Sequence, residues 1–375
     1  MEKDVCVTVP TIREPECMES YIRNAEKHGF DLDRLEVVFV TEDFCDTDEM
    51  RRILDENGVS GGVFDEEGRQ GWMEENGVSD FDHLIPEASH AQTSFGLLYT
   101  WKNGFDYGFF IDDDTRPVEN DYFGDHLENI GFSGKINEVE SSTNWVNVLH
   151  QNHEDHGLYP RGYPYGAMDE ELEVNEIEIE EGDVVASQGL WTNVPDLDAV
   201  RILMEGDVEG LSNTRLGETD YGKDFVAARN NYLTVCSMNL CFRREVIPAF
   251  YQLPMDDNPW GVGRFDDIWS GVFLKRACDV LGKRIYNGAP YCRHDKHPRS
   301  TFSDLASEAP ALELNEHIWK AVDDAGGKSD SYRELYRELA VQLRSTDPDK
   351  YLNGEFLEYV GEHMDDWLDC LSALE

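Results

Sequence analysis

The run Tyr107, Gly108, Phe109, Phe110, Ile111 has no polar position and stops abruptly at Asp112, Asp113 and Asp114. A half-buried strand alternates apolar and polar residues; a continuously apolar one is covered on both faces, as in a sheet held between helix layers. Residues 5–9 and 35–40 are also mainly apolar, each broken by one polar residue, Thr8 and Glu36, and end at Thr11, Ile12, Arg13 and at Thr41, Glu42, Asp43. An amphipathic segment over residues 18–27 lies between them, so the first forty residues form a β-α-β pattern. The chain is therefore expected to fold as an α/β protein. Ligands of open α/β sheets bind just beyond the carboxyl ends of the strands, where all three runs leave polar residues.

Side chains alternate along an extended segment, so Asp112 and Asp114 are expected to project together. As a pair they can hold a hard divalent cation, Mn2+ or Mg2+, against a diphosphate. Acidic pairs recur elsewhere, as at Asp365 and Asp366; the apolar run ahead of the triad sets it apart. In a β-α-β unit, the first turn and the end of the second strand cradle a nucleotide. Thr11, Arg13, Glu42 and Asp43 stand at those places, with Asp113 beside them in the triad. The plainer alternative is that Arg13 and Asp43 solvate loop ends. No GxGxxG occurs, which disfavours dinucleotide cofactors.

Residues 45–93 show no clear pattern, 95–101 read as a helix, and 117–152 read as strands and turns. Tyr159, Pro160, Arg161, Gly162, Tyr163, Pro164, Tyr165 form a segment too rich in Pro, Gly and aromatics to be regular. Such a rigid loop can aim one guanidinium at a phosphate. The acidic run 170–183 reads as a solvated loop or an edge strand. Asp266 and Asp267 open a predicted helix over 268–281, where acids also serve as caps. Further on, His294 and Lys296 fit a third metal ligand and a phosphate-binding ammonium.

Composition narrows the setting. The net charge is −46, from 32 basic and 78 acidic residues, and Arg outnumbers Lys about two to one. Aromatics at 11% exclude an acidic disordered chain. A globular core under a Lys-poor acidic surface suggests a salt-filled cytoplasm and a halophilic source. No basic patch is available for nucleic acid or an anionic membrane. No apolar stretch is long enough to span a bilayer, and a cytoplasmic protein is expected. The eight cysteines show no metal or disulfide spacing.

Taken in order, PTIR, IDDD, RGYPY, GLWTNVPDLDA, MNLCFRREVI, GRFDDIWSG and GAPY with HDK after it resemble the reversibly glycosylated polypeptides, whose plant members are UDP-arabinopyranose mutases. The match runs from about residue 5 to about residue 319. The resemblance implies a GT-A-like glycosyltransferase fold, a Rossmann-like mixed sheet flanked by helices, binding a UDP-sugar through a divalent metal. It further implies transient self-glycosylation at Arg161, metal binding at Asp112 and Asp114, and a place beside the sugar for Asp266 and Asp267. Trp191 and Asn239, within matched motifs, join the expected UDP-sugar contacts. Two departures stand out: Met168 occupies the place of the plant pattern's second Arg, and the segment between the triad and RGYP differs.

The expected activity is interconversion of pyranose and furanose forms of a UDP-sugar. The alternatives are a metal-dependent glycosyltransferase with a glycan, lipid or protein acceptor, and a non-catalytic nucleotide-sugar-binding protein. Residues 1–325 are assigned to the catalytic domain and 326–375 to a helical tail. Its apolar stripes suit packing on the parent domain or a homo-oligomer seam.

Overall fold

The computed structural model describes residues 3–13, 15–149, 157–256, 258–323, 325–327 and 329–375. The first half gives β1 Val5–Pro10, α1 Glu16–His28, β2 Leu35–Val40, α2 Thr47–Asn57, β3 Ser60–Phe64, α3 Glu66–Glu75 and α4 Thr93–Asn103. There follow β4 Tyr107–Ile111, β5 Thr115–Pro117, α5 Tyr122–Ile130, β6 Gly134–Ser141, β7 Trp145–Val146, β8 Leu172–Ile179 and β9 Val184–Asn193. The second half gives α6 Ala199–Glu205, β10 Phe225–Ala227, β11 Tyr232–Leu233, β12 Asn239–Arg243, α7 Asp266–Leu281 and β13 Arg284–His294. Three helices close the chain: α8 Thr301–Asp323, α9 Tyr332–Arg344 and α10 Glu355–Leu374.

One mixed sheet carries the fold, in the order β3-β2-β1-β4-β12-β9-β13-β10-β6-β8, with β5 paired to β13. Strands β1 to β4 are mutually parallel where they pair, and β12 runs antiparallel to both β4 and β9. From β1 the chain winds outward through β2 and β3, then returns to the other side of β1 as β4. The reversal opens a crevice at the carboxyl ends of β1 and β4, the place where open α/β sheets bind ligands. The fold is thus the mixed α/β sheet with flanking helices that the GT-A-like reading requires.

The three apolar runs are buried strands: Val5, Val7, Val9, Val37, Phe39, Phe109 and Ile111 all have no exposed surface. The acidic run forms β8, an edge strand antiparallel to β6. One expectation is corrected: the stretch 117–152, of which residues 150–152 lie outside the described residues, contains a helix. Asp121 accepts a hydrogen bond from the Gly124 amide at 3.2 Å and so caps α5, whose Tyr122, Phe123, His126 and Ile130 are buried. The unpatterned stretch 45–93 holds α2, β3, α3 and the start of α4.

The last two helices share the core of the sheet domain. Trp367 of α10 stacks on Tyr251 with ring centroids 4.9 Å apart, and its indole N–H donates to the Ile247 carbonyl at 3.2 Å. Leu335, Leu339 and Leu343 of α9 and Met364 and Leu371 of α10 are fully buried. All eight cysteines are free, and no helix among the described residues is long and apolar enough to cross a membrane.

Candidate active site

A cleft of about 550 Å³ opens at the crevice and extends across the sheet ends to α8. Eleven of the fourteen residues singled out from sequence line it: Thr11, Arg13, Glu42, Asp112, Asp113, Asp114, Arg161, Asp266, Asp267, His294 and Lys296. Asp43, Trp191 and Asn239 do not. Asp43 accepts from the Glu66 amide at 3.1 Å, supporting the start of α3. Trp191 is fully buried, and its carbonyl accepts from the Tyr221 hydroxyl. Asn239 lies beneath the cleft, where its amide donates to the Pro290 carbonyl at 2.9 Å and the Leu190 carbonyl at 3.2 Å, while its oxygen meets His126 Nε2 at 2.9 Å. These contacts bind β12 to its neighbours, and the polar atoms of Asn239 are spent on them.

The triad departs from the expected alternation. The Thr115 amide donates to the Asp112 carbonyl at 3.1 Å, so the chain turns at the acids instead of continuing as a strand. Each carboxylate consequently finds a different partner. Asp113 meets Arg13 at 3.0 Å and the Thr11 hydroxyl at 2.8 Å. Asp112 lies 3.4 Å from His90 Nε2, and Asp114 lies 3.6 Å from His294 Nε2. Burial alone would raise the Asp114 carboxyl, but the hydrogen bond and charge of His294 outweigh it and hold the group below its usual range.

Among the described residues no three His, Cys, Asp or Glu side chains converge as a closed cation site. A Mg2+-type ion in a nucleotide site asks for less: one or two carboxylates, with phosphate oxygens and water completing the shell. Asp112 and Asp114 line the cleft and suit that requirement. His294 Nδ1 lies 2.7 Å from the Val194 carbonyl. That contact fixes the ring and leaves Nε2 directed toward Asp114, as second-shell carbonyls do for ligating histidines. The chemistry of the donor set fits a hard cation.

The opposite wall is built around Arg161. Gly162 has φ +83°, and a Cβ there would lie 2.3 Å from Ile268 Cγ2. Only glycine lets the RGYP loop press against the first turn of α7. The Asn315 amide of α8 donates to the Gly162 carbonyl at 2.8 Å. So held, Arg161 reaches Asp196 at 2.9 Å and Asp267 at 3.3 Å, and also donates to the Arg264 carbonyl. Burial would lower its pKa, yet Asp196 and Asp267 keep it well above the ordinary value.

Phe265 occupies the N-cap of α7 without a side-chain cap, and Asp267 accepts from the Ile268 amide at 2.9 Å. Burial would raise Asp266, but His90, with Nδ1 at 2.8 Å, holds it below its usual range. Burial raises Asp267 despite Arg161 beside it. Lys296 contributes an ammonium that is buried without a hydrogen-bond partner among the described residues, and burial lowers its pKa.

Sequence reasoning missed His90, Asp196, Asp256 and Arg264, all of which line the cleft. His90 stands alone in an unpatterned stretch and offers no signal. Asp196 and Arg264 sit inside motifs already noted, GLWTNVPD and GRFDD; the need of buried Arg161 for acidic partners could have found the first.

A family model described as "Reversibly glycosylated polypeptide" matches residues 78–375. The probable UDP-arabinopyranose mutase 1 of Solanum tuberosum is 29% identical over 294 residues, covering 75% of this chain and 74% of that protein. UDP-arabinopyranose mutase 1 of Arabidopsis thaliana is 28% identical over 288 residues, covering 75% and 72%. Among solved structures, a Pyrobaculum calidifontis mannosyltransferase in complex with GDP-Man and Mn2+ aligns with all of this chain and 85% of that one, at 15% identity and a TM-score of 0.42. The matched model takes in the RGYP loop, both strands that flank β9 and the acids that open α7, so the chain belongs to the reversibly glycosylated polypeptide family.

Proposed function

We propose that the protein is a UDP-sugar mutase of the UDP-arabinopyranose mutase type, interconverting pyranose and furanose forms of its substrate with transient self-glycosylation at Arg161. The observation that carries the reading is a cleft with two unlike walls: strand-end acids suited to a metal-bound diphosphate face a buried guanidinium flanked by carboxylates. The relatives' names, UDP-arabinopyranose mutase, agree with it.

The anomeric carbon leaves the phosphate oxygen for an Arg161 nitrogen, the guanidinium proton passing to a flanking carboxylate. The bond from that carbon to the old ring oxygen breaks and one to a different hydroxyl forms. The phosphate oxygen then displaces Arg161, which takes its proton back. No atom is gained or lost. A divalent cation bound at Asp112 and Asp114 would supply charge stabilisation for the diphosphate. Thr11, Arg13 and Glu42 bind the nucleotide side. Lys296 and Arg161 face the charge that grows on the departing phosphate, in a site where preformed charges need little reorganisation. Asp267, its carboxyl raised by burial, takes and returns the proton of the exchanging ring hydroxyl. His90 holds Asp266 charged and oriented beside the sugar.

The test is incubation with a panel of UDP-pentoses and UDP-hexoses with Mn2+ or Mg2+ in molar KCl, the medium suited to a net charge of −46. Chromatography should reveal a furanose product without any acceptor, and intact mass should reveal an added sugar. Transfer to a supplied acceptor with no furanose product would make the protein a glycosyltransferase. UDP binding with no turnover of any sugar would make it a non-catalytic binder.

A further inference from the structure

The loop between Asp256 and α7 contains a conformation that the reaction scheme leaves unused. Arg264 has φ +63°, in the left-handed region that a residue with a long side chain rarely occupies. Its side chain is tied down at both ends of the guanidinium: Nε donates to Glu308 Oε1 at 2.8 Å, and Nη1 lies 3.4 Å from Asp304 Oδ1. Glu308 is fully buried and also accepts from the Ala199 amide at 2.7 Å, where α6 begins. Helix α8 therefore clamps Arg264 into an unfavourable backbone conformation. Strain of this kind persists only where surrounding contacts enforce it.

What the conformation achieves is visible one bond away. The Arg264 carbonyl turns toward the cleft and accepts a hydrogen bond from Arg161 Nη1. Arg161 thus has three holders: the Asp196 carboxylate on Nε, the Asp267 carboxylate on its terminal nitrogens, and the backbone oxygen of the left-handed Arg264. The carbonyl differs from the two acids in one respect. It cannot be protonated, and it fixes the guanidinium plane without competing for a proton.

We infer that Arg264 is a positioning residue for Arg161, acting through its strained backbone carbonyl, with the Glu308 and Asp304 contacts serving to hold that strain. The inference rests on the reading of Arg161 as the residue that meets the sugar or its leaving diphosphate. It predicts an unusual mutational order. Every replacement of Arg264 loses the Glu308 contact, so replacements are compared with one another. Gly and Asn tolerate left-handed backbone, Ala resists it, and the branched Val resists it most.

The experiment uses the full-length protein as Arg264→Gly, Arg264→Asn, Arg264→Ala and Arg264→Val, read in two ways. By NMR of the 15N-arginine-labelled protein, the Arg161 Nε–H signal, assigned by its loss in Arg161→Lys, should stay sharp and slow to exchange in Arg264→Asn and Arg264→Gly. It should broaden or exchange rapidly in Arg264→Ala. Turnover should follow the same order, with kcat in Arg264→Ala about tenfold below that in Arg264→Asn, reflecting the cost of left-handed backbone, and with unchanged affinity for UDP. Arg264→Val should lie lower still; if it fails to fold, the Asn and Ala pair decides. An Arg161 signal indifferent to the residue at 264, or an Ala variant as fast as Asn, overturns the inference. Normal turnover in Arg161→Lys together with the expected NMR order would instead overturn the role given to Arg161 and leave the positioning intact.

Discussion

One wall of the cleft, with Thr11, Arg13 and the acids 112–114, comes from the ends of two adjacent parallel strands. The other, with Arg161, Asp196, Arg264 and Asp267, is gathered from loops and a helix start up to 106 residues apart. The first wall is positioned by backbone: Val5 to Thr8 pair with Tyr107 to Phe110, and the site residues follow directly from that ladder. The second is positioned by side chains holding side chains, through Asn315, Glu308 and Asp304 of α8. A substitution on the strand-end wall should therefore remove one contact and leave the rest in place. A substitution on the Arg161 wall should disturb its neighbours as well.

The largest effect is expected at Arg161 itself. Arg161→Ala should lower turnover about 100- to 1000-fold, as loss of one preorganised donor does, and should abolish labelling by UDP-sugar while UDP still binds at the other wall. Arg161→Lys should not restore labelling. Peptide mapping that finds the sugar elsewhere, with Arg161→Ala still labelled at the wild-type rate, would break the comparison at its centre. Next comes the strand-end wall: Asp114→Asn, or exhaustive chelation with EDTA, should reduce turnover by about 100-fold. Restoration by Mn2+ or Mg2+ after chelation is the expected result. Full activity without divalent cations would sink the metal assignment.

Stability separates the walls further. Asp196→Asn removes one partner of a buried pair and should cost about 3 kcal/mol in denaturant unfolding at neutral pH. Burial alone would raise Asp196, but Arg161 and Lys296 hold it well below the usual carboxylate range. Its contribution is therefore complete above the unfolded pKa of about 3.9 and is lost as pH falls toward the lower folded value. The acid limb of the stability profile should be shallower in Asp196→Asn, and equal slopes would show that the pair contributes nothing. The smallest effect is expected beneath the cleft: Asn239→Ala should cost about 2 kcal/mol through its unmade hydrogen bonds and leave UDP affinity unchanged. Loss of UDP binding in a stably folded Asn239→Ala protein would return that residue to the binding site.

Legibility in the sequence followed the same division. The strand-end wall was readable because continuous apolar runs identify buried strands and their ends are sites by position, a local argument that located Thr11, Glu42 and Asp112 to Asp114. Even there the local geometry differs from the expectation: the chain turns after Ile111 instead of continuing the alternation, although Asp112 and Asp114 both line the cleft. Arg161, Asp266 and Asp267 were located through motif resemblance, and nothing local indicated that Arg161 would face Asp196, 35 residues away. His90 lies in a segment without periodicity, and its service to both Asp112 and Asp266 exists only in three dimensions. Trp191 and Asn239 lie in matched motifs yet do not line the cleft, and Asn239 spends its polar atoms on neighbouring strands.

The docking of α10 has a consequence for synthesis. Phe95, Leu97 and Leu98 of α4 lie in the same apolar core as Trp367, Leu371 and Leu374 of α10, and the Lys102 ammonium donates to the Leu374 carbonyl at 3.1 Å. About 250 residues separate the two helices, so at translation rates of 5–20 residues per second the face of α4 waits roughly 12–50 s for its cover. During that interval the nascent chain presents a greasy helix beside a half-built sheet.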